Sequence, residues 1–164
     1  MKIYSNDPLL RFKTTSINAM RTKAQIDEIL AKWGITKTAW EWNPEQNKVV
    51  VQFQISEKFH NAEINPVVRL ECPLIWKKKG KGWRALEEVD WNVSLRVLHW
   101  FIDTMLNLAY ATQSEKTIAF LPYIEAHDGM MLKDVILQNL ERIQSMPALT
   151  EEKAEKVLNE AKQA

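Results

Sequence analysis

Five cations and two tryptophans crowd the stretch "IWKKKGKGWRAL", Ile75–Leu86. Lys77, Lys78, Lys79, Lys81 and Arg84 form a local positive patch. Ammonium groups neutralise phosphates without reading bases, and the counterions they release make such binding strongly salt-dependent. Trp76 and Trp83 offer ring faces on which bases stack, at roughly 1–3 kcal/mol per base. Gly80 and Gly82 let the backbone turn tightly and approach a ligand closely. The same composition also describes a solvated hairpin tip, with indoles anchored in the core and lysines guarding an edge strand against mispairing. Both readings stand on the sequence alone.

Other chemistry-bearing residues are sparser. His60, His99 and His127 belong to different segments. Glu125, His127 and Asp128 ("EAHD") are the densest set of ligand-capable groups, but adjacent residues of a turn point apart and lack the i, i+4 spacing of a helical metal pair. His99 and Asp103 do have that spacing, with Arg96 one turn before, which is the pattern of an ion-paired polar stripe. Cys72 alternates with apolar neighbours and reads as a buried structural thiol rather than a nucleophile. No phosphate-binding glycine loop, nucleophile elbow or cysteine pair is present. The expectation is a non-enzymatic protein with no catalytic residues, no metal site and no cofactor.

The whole chain bounds the partner. Its 164 residues carry a formal net charge of +1, so no global field draws it to DNA or an anionic membrane, and any electrostatic partner must meet a local patch. A single cysteine precludes an intrachain disulfide. "MKIYSNDPLLRF" lacks the apolar run of a signal peptide, which points to the cytoplasm. Trp91–Thr112 is long enough to span a bilayer. However, Asn92, Arg96, His99, Asp103 and Asn107 draw one polar stripe along it, so it reads as a helix laid across a sheet and not as a membrane segment. Nothing in the sequence fixes the oligomeric state.

The elements that must position these residues follow from periodicity. An opening strand is expected near Leu10–Ile17. A helix follows in "TKAQIDEILAKWG", with Thr22 and Gln25 as a capping box, Ile26, Ile29, Leu30 and Trp33 as its stripe, and Gly34 at its end. The period then falls to two. Trp40 and Trp42 share a strand face that either packs on a helix or lies exposed as an aromatic platform. "NPEQN" is a turn, and Val49, Val51, Phe53 and Ile55 line one side of the next strand. Val68, Leu70, Cys72 and Leu74 alternate in a third, and Pro73 means that this strand either lies at an edge or ends there. The long helix near Asp90–Thr112 and a further helix in "MLKDVILQNLERIQ" complete an α+β fold. Its expected core is β-α-β-β-β-α, an antiparallel meander with helices packed on one face, plus a C-terminal helical extension. Residues 1–146 form the domain and residues 147–164 a polar helical tail with Thr150 as cap. The α-β-β-β-α order is that of double-stranded-RNA-binding domains, but Glu87, Glu88 and Asp90 stand where those domains carry cations, and topology alone gives no function.

The second half of the chain resembles a group of small proteins encoded by bacteriophages and integrated mobile elements. The likeness rests on Trp83-Arg84 at the mouth of the long helix, on Phe120-Leu121-Pro122-Tyr123, and on the Asp128-Gly129 turn. The lysine cluster departs from that group's general pattern. The group brings no assigned activity. What the resemblance implies is an accessory protein acting on nucleic acid or on host proteins. The leading expectation is therefore a protein that binds DNA or RNA with low sequence specificity through Trp76, Lys77, Lys78, Lys79, Lys81, Trp83 and Arg84. The alternative is a protein-binding module, for example one that inhibits a host defence or replication protein.

Overall fold

The computed structural model describes residues 2–12, 14–59, 62–79, 86–126 and 130–144. The chain forms an α+β fold built on two three-stranded sheets and a small hairpin. Strand β1 is Ile3–Tyr4, helix α1 Ala19–Lys32, and strands β2 and β3 are Thr38–Asn43 and Lys48–Gln54. The β4–β5 hairpin (Glu57–Phe59, Ala62–Ile64) leads to β6 (Val67–Glu71), β7 (Ile75–Lys79) and β8 (Leu86–Val89). Helices α2 (Trp91–Ala111), α3 (Lys116–Ala119) and α4 (Leu132–Gln144) follow.

The expected meander is β2-β3-β6, all antiparallel, with Trp40 opposite Val51 and Val51 opposite Leu70. Alternation places Val49, Val51, Phe53, Val68 and Leu70 on one face, where Ile26 and Leu30 of α1 and Leu95, Leu98, Ile102 and Leu106 of α2 cover them. Burying each such side chain stabilises the fold by about 1.5–3 kcal/mol. Phe120 seals the centre, 0 % exposed, with edge-on contacts to Phe53 at 5.3 Å and Phe101 at 6.4 Å.

One helix-level expectation is corrected. The N-cap of α1 is Asn18, whose side chain accepts from Arg21 N at 2.8 Å, so the helix starts one turn before the Thr22–Gln25 pair. Thr22 is buried within the first turn and donates to the Asn18 carbonyl, while Gln25 accepts from Arg96 of α2 at 2.8 Å. Asn18 satisfies an orphan amide as well as threonine would, and the apolar stripe does not distinguish the two starts.

Strand placement at the N-terminus also differs. Residues 10–12 and 14–17 form bends and irregular backbone rather than a strand, with Thr15 Oγ1 accepting from Ile17 N at 3.2 Å. Such local bonds compete with a ladder. The strand that forms is Ile3–Tyr4, parallel to β7, and it completes the sheet β1-β7-β8 that periodicity did not separate from the meander. The expected C-terminal helix lies outside the described residues. No helix among the described residues is long and apolar enough to cross a membrane.

Candidate functional site

The first five residues of the basic stretch, Ile75–Lys79, become strand β7. Lys77 pairs with Glu88, Lys78 with Glu87 and Lys79 with Leu86 across an antiparallel ladder. The glutamates that follow the lysines in sequence therefore come to lie opposite them. Lys77 Nζ sits 3.5 Å from Glu88 and 4.0 Å from Asp90, and Lys79 Nζ 3.9 Å from Glu88. The two pairs to Glu88 are solvent-exposed and worth about 0–1 kcal/mol each, whereas Asp90 is largely buried. Lys81, Trp83 and Arg84 lie outside the described residues.

Pleating sorts the sheet into two faces. Lys77 and Lys79 share one face with Glu88. Trp76 and Lys78 take the other, and the parallel register Tyr4 to Trp76 brings Tyr4, with Lys2 on the same pleat, alongside them. Lys2 Nζ lies 4.2 Å from the centre of the Trp76 ring and Lys78 Nζ 5.3 Å from that of Tyr4. Glu87 joins this cluster, accepting from Lys2 Nζ at 2.8 Å and from the Tyr4 hydroxyl at 2.6 Å. Those two hydrogen bonds hold its carboxyl below the usual range. The bond to Glu87 in turn raises both the Lys2 ammonium and the Tyr4 phenol. Lys2 and Tyr4 were not among the sequence-expected site residues. Their signal is the cation–aromatic alternation of "MKIY", which gains meaning only once the parallel pairing to β7 is known.

The other candidates resolve as follows. Trp40 is half-buried against α1, its indole N–H donating to Asp27 at 2.8 Å, so it belongs to the packing. Trp42 stays 37 % exposed beside Trp91 at 6.1 Å. Cys72 is buried, and burial pushes its thiol up to about 12, which makes it inert at neutral pH. Desolvation, then Arg96, lowers the His99 imidazole against the opposing pull of Asp103. The polar stripe of α2 is used in part to hold α1, through Arg96 to Gln25 and through Asn92, which accepts from Ala19 N at 2.8 Å. Among the described residues no group of three His, Cys, Asp or Glu converges to hold a metal. His127, Asp128 and Gly129 lie outside the described residues.

A second concave feature was not expected. A groove of about 750 Å³ runs between the outer edge of β6 and helix α2. Trp100, Phe101 and Tyr123 form its apolar floor, and Glu71, Glu125 and Asp134 stand around it. The Phe-Leu-Pro-Tyr segment thus supplies a core residue, Phe120, and a groove residue, Tyr123, joined by the 3₁₀ turn Leu121–Tyr123.

No protein-family model, curated protein or solved structure matches this chain.

Proposed function

We propose that the protein is a non-enzymatic accessory protein that binds single-stranded nucleic acid, with low sequence specificity, on the Tyr4–Trp76 face of the β1-β7-β8 sheet. The observation that carries this reading is the cluster of Tyr4 and Trp76 with Lys2 and Lys78 on one sheet face. Each ring is now covered by an ammonium group. An exposed cation–π contact is worth about 0.5–1 kcal/mol, whereas a stacked base gives roughly 1–3 kcal/mol, so a base displaces the ammonium. The freed ammonium then reaches a neighbouring phosphate. A duplex hides its base faces and offers only phosphates, hence the preference for single strands. Lys79 lies on the opposite face of the sheet, and Lys81, Trp83 and Arg84 follow it in sequence as further candidate contacts. Ammonium groups contact phosphates without reading base edges, hence the low specificity.

Glu87 opposes binding by occupying Lys2 and placing an anion on the same face. Its neutral isostere gives a sign that a non-specific sticky surface would not. In fluorescence anisotropy with a labelled single-stranded oligonucleotide, Glu87→Gln should tighten binding and Lys78→Glu should weaken it, each by at least about threefold. Binding unchanged in both variants would move the site off this face.

The alternative, a protein-binding module, draws its support from the β6–α2 groove.

A further inference from the structure

We infer that the β6–α2 groove is a docking site for an extended, basic segment of a partner protein, which adds a strand to the outer edge of β6. This goes beyond the nucleic-acid reading and uses different residues.

Ile55 N donates to the Pro66 carbonyl and Cys72 N to the Val49 carbonyl, so the even-numbered residues of this segment turn their backbone groups toward β3. Alternation turns those of Val67, Arg69 and Glu71 outward. The chain itself fills the first of these positions. Ile124 bridges antiparallel to Val68, and Glu125 N donates to the Val67 carbonyl at 2.8 Å. The ladder then stops, because Leu121–Tyr123 winds into a 3₁₀ turn and leaves the edge. Among the described residues the outward amide and carbonyl of Glu71 have no hydrogen-bond partner. The groove opens at this point, with Arg69, Leu70 and Glu71 as one wall.

A strand laid here takes up those backbone groups and directs alternate side chains onto Trp100, Phe101 and Tyr123. Charge selects the intervening ones. Arg69 is engaged by Glu41 at 3.7 Å and Arg11 is stacked on Trp100 at 5.2 Å, whereas Glu71, Glu125 and Asp134 have no ion pair among the described residues, against Lys133 in the lining. A segment alternating apolar and basic residues meets both the apolar floor and the acidic surround. A small organic cation meets the charge but leaves the edge unpaired.

The test is a panel of labelled hexapeptides alternating lysine or arginine with valine, leucine or phenylalanine, titrated against the full chain by anisotropy. Saturable binding is expected for at least one member. N-methylation of alternate amides should abolish it, and glutamate in place of the basic residues should weaken it by at least about tenfold. Glu71→Lys, an exposed position, should weaken it similarly, while Lys78→Glu should not. In amide hydrogen exchange the bound peptide should protect Glu71 N–H. Failure of every member to bind, or binding that survives N-methylation and Glu71→Lys, would overturn the inference. A single-stranded oligonucleotide should not compete, so loss of either binding activity is scored separately.

Discussion

Glu57 shows how one side chain fixes a segment far away in sequence. Its carboxylate accepts from Lys116 N at 2.8 Å and Thr117 N at 2.9 Å, capping the four-residue helix that sets Phe120 in the core. Burial works to raise its pKa, but these amides and Lys116 prevail and the net shift is downward. A carboxylate with a depressed folded pKa contributes stability above its unfolded value, and loses it as pH falls through the folded one. Glu57→Gln should therefore destabilise by about 1–2 kcal/mol at neutral pH. In denaturant melts the gap to wild type should close below pH 4.5; a gap independent of pH would mean that charge plays no part. Cys72 gives a second residue-scale outcome. With its thiol pushed up to about 12, alkylation of the native protein at pH 8 should run at least about a hundredfold slower than in denaturant. Comparable rates would place the thiol at the surface. Cys72 was legible in the sequence because alternation alone buries it. Glu57 was not, since nothing local couples it to residues about sixty positions away.

Elements were readable where one face is apolar and the ends carry their own chemistry. The long helix ends within a residue of its expected bounds, capped by Asp90, which accepts from Val93 N. The "NPEQN" turn forms with Asn47 in the left-handed region. Gly34 ends α1 at φ +79°, where its amide meets the Ala31 carbonyl at 2.9 Å. A Cβ there would touch nothing within 4 Å, so the cost of Gly34→Ala is conformational, about 1 kcal/mol in thermal or chemical melts. Gly34→Asn should cost less, because asparagine tolerates that region. Equal stability of wild type and both variants would refute the capping role. The strand between Ile3 and Tyr4 was illegible because two residues carry no period, and their partner in β7 lies more than seventy positions away. That missed pairing is what assembles the proposed binding face, and it also explains why Lys2 and Tyr4 escaped notice.

At the scale of the molecule, the two proposed binding surfaces divide the charge. The hairpin sheet sets Lys2 and Lys78 over two aromatic rings, with Lys77 and Lys79 on its other face, and the β6–α2 groove gathers carboxylates around three. A net charge of +1 hides this separation. The basic patch was legible from composition, but its partial compensation by Glu87, Glu88 and Asp90 was not, because adjacency in sequence does not give ladder register. Compensation limits how many phosphates the face can engage. About three contacts imply a slope near −2 in a plot of log affinity against log salt for a single strand. The account rests most directly on anisotropy titration of the wild-type protein with single- and double-stranded oligonucleotides at about 50 and 200 mM salt, beside a Lys78→Glu/Lys79→Glu variant. Preferential single-strand binding that weakens with salt at that slope and disappears in the variant is the predicted result. Absence of binding at low salt, or binding indifferent to both salt and charge reversal, would contradict it.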